Sequence, residues 1–149
     1  MIILAGDIGG TKTWLQIAEL SGLPSGENTS VKDGFTVIFE RRYVSAEYAS
    51  FDDLLQSFLQ EVQQQNLPLP THACIGVAGP VEKDYAGNDL SKVTNLPWRL
   101  DARKIEARHQ IIRCQLMNDF QVIAFGLDML EPEALVRLQE GTSMMARAM

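Results

Sequence analysis

Hydrophobic positions change their spacing along the chain, and each change marks an element. "MIILAGD" is a short apolar run stopped by glycine, the pattern of a buried strand. "TWLQIAEL" (Thr13 to Leu20) alternates in part, with Leu15 and Ile17 on one side and Gln16 on the other. "FTVIFERRYV" (Phe35 to Val44) is β-branched and aromatic, and "SGLPSGENTS" before it has the composition of a loop. These read as three consecutive antiparallel strands joined by turns. In "SFDDLLQSFLQEVQQQ" the spacing lengthens: Phe51, Leu54, Leu55, Phe58, Leu59 and Val62 recur at three and four, which predicts an amphipathic helix. Ser50 supplies its cap, and Asp52 and Asp53 its acidic first turn. After "NLPLP" comes a buried strand, "HACIGVAGPV", ending at Gly79-Pro80; "LSKVTNLPW" is short and irregular. "LDARKIEARH" predicts a helix capped by Asp101, "IIRCQLMND" a strand, and "FQVIAFGLDML" a helix directly after it.

The order β-β-β-α-β-α-β-α describes an α/β domain with a mixed sheet flanked by helices. Beyond Leu138 the pattern runs out, and "QEGTSMMARAM" has neither period nor cap. At 149 residues the chain suffices for one domain with a real core. No apolar run approaches the ~20 residues of a membrane helix, so no membrane partner is expected. "MIILAGD" reads as a strand rather than a signal peptide. Cys74 and Cys114, in apolar segments without CxxC spacing, read as two buried thiols in a reducing cytoplasm. The net charge of −6, with Lys and Arg scattered, argues against a nucleic-acid partner. Local anion binding stays open, because backbone N–H groups can supply it.

"GDIGGTKT" admits three readings. A Walker A loop would use Gly6, Lys12 and Thr13, but Thr11 stands where its second glycine belongs, and no long helix follows. A GxGxxG dinucleotide fingerprint does not match glycines at 6, 9 and 10. In the third, a strand ends at Asp7, Gly9-Gly10 makes a tight turn with positive φ angles, and the chain returns as a strand. The N–H groups of Gly9, Gly10 and Thr11 are then free to meet an anion, and Asp7 beside it suits a divalent cation between them, such as Mg²⁺ on a nucleotide. A plain hairpin is the structural alternative.

Asn118-Asp119 falls where a strand meets a helix. An N-cap is the ordinary reading; the functional one makes Asp119 a general base and Asn118 a hydrogen-bond partner for a polar substrate. Ligands of α/β sheets collect at the carboxyl ends of strands, so Asp7, Asp119 and the Gly79-Pro80 edge could meet at one cleft. "TNLPW" (Thr94 to Trp98) suits a sugar, with polar groups for hydroxyls and an apolar plate for the ring, or is a surface loop anchored by a buried Trp. His72 and His109 read as a strand-edge and a helix-end residue without metal-ligand spacing.

In this order "LAGDIGGTKT", "CIGVAGPV", "TNLPW" and "MNDF" resemble the N-terminal half of bacterial glucokinases, in the superfamily of hexokinases, actin and sugar kinases. The likeness runs from about Ile2 to Gly141. It implies an RNase H-like (actin/hexokinase-type ATPase) domain over residues 1–141, an irregular tail at 142–149, and a C-terminal lobe that is absent. It also implies ATP and Mg²⁺ as cofactors and glucose as substrate, with transfer of the γ-phosphoryl group to give glucose 6-phosphate, the first step of glycolysis. By this resemblance Gly6, Asp7, Gly9, Gly10, Thr11 and Lys12 belong to the nucleotide site, with Asp7 toward the metal. Asp119 is then the base for the sugar 6-hydroxyl, and Asn118, Asn95 and Thr94 border the sugar. A kinase for another hexose or amino sugar is a runner-up. A non-catalytic sugar-binding or interaction fragment is another, and this portion alone need not turn over. With the first strand at Ile2, a DNA-binding repressor is disfavoured. The missing lobe, or self-association, is the expected partner of the exposed face.

Overall fold

The computed structural model describes residues 1–21 and 34–127, with residues 130, 133, 135 and 136. Three strands come first: β1 (Ile2–Ile8), β2 (Lys12–Leu20) and β3 (Phe35–Val44). A 3₁₀ turn at Ser45–Glu47 leads into α1 (Phe51–Gln64), followed by β4 (His72–Val77). Next come β5 (Val81–Lys83), β6 (Asp89–Lys92) and β7 (Arg99–Asp101), then α2 (Ala102–His109), β8 (Arg113–Asn118) and α3 (Asp119–Leu127). The main sheet runs β3-β2-β1-β4-β8. The first three strands pair antiparallel, and β1, β4 and β8 pair parallel, so the sheet is mixed as expected. The expected tail at 142–149 and most of the "SGLPSGENTS" loop lie outside the described residues.

The predicted caps form. Ser50 Oγ accepts the Asp53 N–H at 3.2 Å, and Asp101 Oδ1 accepts that of Lys104 at 3.2 Å, each satisfying an orphan donor of a first turn. The apolar face of α1 packs on the sheet, where Leu4, Ile8, Leu15, Ile17, Ile75 and Val77 meet Leu54, Leu55 and Phe58, all fully buried.

One segment differs from the sequence reading. The stretch around "LSKVTNLPW", expected to be irregular, contributes β6 to a second, three-stranded sheet of order β5-β6-β7. Its pattern is inverted: in β6 it is the polar Asp89 and Ser91 that are buried, while Leu90 is only half-buried. Periodicity of hydrophobic residues therefore misses it. Asp89 earns its place by pairing with Lys83 and by accepting the N–H of Leu116 at 3.3 Å. Glu106 likewise accepts the N–H of Cys114 at 2.8 Å. Carboxylates thus occupy donors on the outer edge of β8 that a further strand would otherwise take. Of the two thiols, Cys114 is buried, but Cys74 is only half-buried, with its Sγ 3.7 Å from Met117 Sδ.

Candidate active site

The β1–β2 turn is held by polar contacts from three directions. The Gly9 N–H donates to Lys12 O at 2.9 Å, closing the hairpin. Ser45 Oγ donates to Gly9 O at 2.9 Å and lies 3.0 Å from the buried Thr13 hydroxyl, while the Ser45 N–H donates to Thr11 O at 3.0 Å. Two expectations change here. The Gly9 N–H is engaged within the turn and is not free for an anion. Nor does either glycine adopt a positive φ; among the described glycines only Gly87 does. Close approach explains the pair instead. A Cβ on Gly10 would lie 2.9 Å from Thr94 O, and one on Gly9 would lie 3.0 Å from Lys12 O. The turn therefore packs against the Thr94–Asn95 loop, which the sequence alone could not reveal. Lys12 opens β2 and is exposed, as is Thr11. Gly6 lies within β1, and a Cβ there would meet Leu15 at 3.1 Å on the core side.

Asp7 and Asp119 come together. Both line a hollow of about 410 Å³ with Trp14, Gly76, Val122 and Ile123. The register explains it: Asp7 stands beside Gly76 of β4, and Gly76 beside Met117 of β8, two residues before Asp119. A Cβ on Gly76 would come within 3.1 Å of Val122, so glycine lets α3 settle over the sheet. Partial burial, and then the negative charge of Asp119, hold the Asp7 carboxyl above its ordinary value of 3.8. Two carboxylates facing one hollow suit a hard divalent cation, and Mg²⁺ needs only one or two of them, completing its shell with water and phosphate oxygens. Among the described residues no group of three or more His, Cys, Asp or Glu forms a metal cage, which that mode does not require.

Asn118 is the N-cap of α3. Its Oδ1 accepts the Phe120 N–H at 3.0 Å, and the Gln121 side chain returns to the Asn118 N–H at 3.1 Å, a capping box. Its Nδ2 donates to Gly79 O at 2.9 Å, leaving one amide hydrogen for a ligand. Among the described glycines Gly79 is the tightest: a Cβ there would lie 2.3 Å from Lys92 O. Thr94 and Asn95 are exposed and line a neighbouring hollow with Pro80 and Leu96, separate from the one that holds Asp7 and Asp119. Asn95 has φ 63°, a left-handed conformation that asparagine tolerates. Trp98 is no sugar plate. It is buried, its indole N–H donates to Tyr48 O at 3.2 Å, and its ring lies 6.2 Å from that of Phe51. It anchors the loop from beneath. Sequence reasoning missed Ser45, Gly76 and Trp14, whose only signal was proximity to the glycine-rich turn or to a strand end.

The same pieces recur in known proteins. A family model described as glucokinase matches residues 4–149. A glucokinase of Nostoc punctiforme is 36% identical over 140 residues, covering 94% of this chain and 36% of the relative. One from Synechocystis sp. is 32% identical over 138 residues, covering 91% and 36%. In solved structures, a glucokinase from an Antarctic psychrotroph superposes with a TM-score of 0.70 at 22% identity, covering 96% of this chain and 40% of that one. A glucokinase from Balamuthia mandrillaris in complex with glucose gives 0.52 at 19% identity, covering 85% and 32%. The chain thus spans about 36% of the length of the curated relatives it matches. With all four motifs inside the matched span and the strand ends brought to one side of the sheet, this chain belongs to the glucokinase family.

Proposed function

We propose that the chain supplies the first lobe, RNase H-like in fold, of an ATP-dependent glucose kinase that makes glucose 6-phosphate, with residues 1–141 forming the lobe. The observation that carries this is the meeting of Asp7 and Asp119 over Gly76 at the carboxyl ends of β1 and β8. Asp119 takes the proton of the sugar 6-hydroxyl as the oxygen attacks the γ-phosphorus. A positioned base of this kind contributes about 10²–10⁴-fold. Asp7 holds Mg²⁺, which when bound neutralises phosphate charge. The turn from Gly9 to Lys12 faces the phosphates through the Gly10 and Thr11 N–H groups and the Lys12 ammonium, with Gly6 keeping β1 close to β2 and β4. Thr94 and Asn95 border the sugar. Asn118 orients Asp119 by capping α3 and offers its remaining amide hydrogen to a hydroxyl.

The site stands at a domain edge, since catalysis of this type needs a closing second wall to exclude water. The apolar side chains that α3 exposes are the surface on which that second lobe packs, with self-association of this chain the competing outcome. A non-catalytic sugar-binding or interaction fragment is the second reading, favoured by that same exposed surface. The test is glucose-dependent ADP release from Mg-ATP. In the complete two-lobed enzyme the expected result is a loss of at least ~10²-fold in Asp119→Ala with glucose binding much less affected. Turnover within tenfold of the unaltered enzyme would refute the base assignment. Glucose binding without turnover when the second lobe is also present would select the second reading.

A further inference from the structure

A second groove, of about 470 Å³, lies where the small sheet meets the first turns of α1 and α2. Phe51, Leu100 and Ile105 line it and are buried, giving it an apolar floor. Three cationic side chains, Lys92, Arg99 and Lys104, also line it. Lys92 and Arg99 are direct partners across the β6–β7 ladder, a placement of like charges that destabilises a sheet. Both are exposed, and neither has an ion-pair partner among the described residues. Two of the groove's carboxylates have other partners. Asp52 meets Arg108 at 3.8 Å and His109 at 3.3 Å, and Asp101 accepts from Asn88 at 3.0 Å and lies 3.6 Å from Lys104 Nζ. Glu82 is the third.

We propose that this groove binds a small phosphate-bearing molecule, with its phosphate monoester between Lys92 and Arg99. A dianion relieves the cross-strand repulsion, the guanidinium fork of Arg99 matches phosphate oxygens in pairs, and the apolar floor accepts an organic body. The volume is within the usual range for small-molecule sites. Pro80 and Lys92 also wall the hollow beside Thr94 and Asn95, so an anion held here adjoins the candidate sugar loop without being part of the Gly9–Lys12 turn.

The test uses thermal unfolding and amide NMR titration of the whole chain with inorganic phosphate and with phenyl phosphate, at constant ionic strength. Without added anion, Arg99→Gln raises Tm by about 1–4 °C, because a like-charge pair is removed. Both probes stabilise the unaltered chain, and the Lys92 and Arg99 amide shifts persist in Lys12→Ala. Affinity at those amides falls at least ~10-fold in Arg99→Gln, about one decade of Kd. Phenyl phosphate binds more tightly than phosphate; equal affinities would overturn the role of the apolar floor. Binding that survives Arg99→Gln but is lost in Lys12→Ala places the anion at the β1–β2 turn and overturns the proposal. So does a response no greater than that to chloride, or the absence of saturation below ~20 mM.

Discussion

The two faces of the main sheet are built differently. On one, Leu4, Ile8, Leu15, Ile17, Ile75 and Val77 are fully buried beneath α1, and Phe58 of α1 packs at 5.5 Å from Phe39 and edge-on to Tyr43. On the other lies α3, which has no buried residue and leaves Phe120 77%, Ile123 60% and Phe125 71% exposed. Parallel strands ordinarily have both faces covered. The first face is where sequence has been converted into stability; the second carries Asp7, Asp119 and Trp14 and keeps its apolar surface available. A helix so apolar and so exposed fits the packing surface proposed above for a second lobe.

The contrast can be broken directly. Phe58→Ala on the packed face should cost about 3–5 kcal/mol, by lost burial and a cavity, whereas Phe125→Ser on α3 should change stability by no more than about 0.5 kcal/mol; urea unfolding of the pair checks both. Equal losses would mean that α3 is part of the core. Next is Gly79→Ala, whose methyl meets Lys92 O, a backbone atom that cannot swing aside. A loss of roughly 1–3 kcal/mol is expected, together with NMR shifts in the Thr94–Asn95 loop. Ser45→Ala removes the hydroxyl bridging Gly9 O and Thr13, and should cost about 1–2 kcal/mol, with faster amide exchange confined to the β1–β2 turn.

The smallest effect has the opposite sign. The folded protein holds the Asp7 proton more tightly than the unfolded chain, whose ordinary value is 3.8, so stability is lost as pH rises from about that value through the raised folded one. Asp7→Asn should therefore raise Tm at neutral pH, by on the order of 1–2 °C because solvent still reaches the partly buried carboxylate and screens it, and make no difference near pH ~3. A variant that is destabilised at neutral pH would show that Asp7 has a favourable partner there.

Much of the architecture was legible because its causes are local. The alternation in β2, the three-and-four spacing of α1 and the caps Ser50 and Asp101 each act within a few residues, and each formed as read. The small sheet was not legible, because Asp89 and Ser91 are buried through partners on distant segments, Leu116 N–H and Pro80 O. The site divides in the same way. The structure brings Asp7 and Asp119 to one hollow, while Thr94 and Asn95 pack against Gly9-Gly10 and line a neighbouring one. Their individual conformations followed from contacts that have no linear signature: Gly10 against Thr94 O, Asn118 on Gly79 O, Trp98 under the loop rather than open to it.

By itself, then, the sequence determined the order of the main-sheet strands and the helices, the apolar face of α1, and the four motifs that carry the family resemblance, because periodicity, capping and turn chemistry are short-range. Only the tertiary structure decided that β4 lies between β1 and β8, with Gly76 opening the space that Asp7 and Asp119 share. It also decided that Lys92 and Arg99 stand opposed beside a groove, and that one face of the sheet is packed while the other carries an exposed apolar helix. Those outcomes depend on strand register and on which surfaces meet, and both are settled by contacts between residues far apart in the chain.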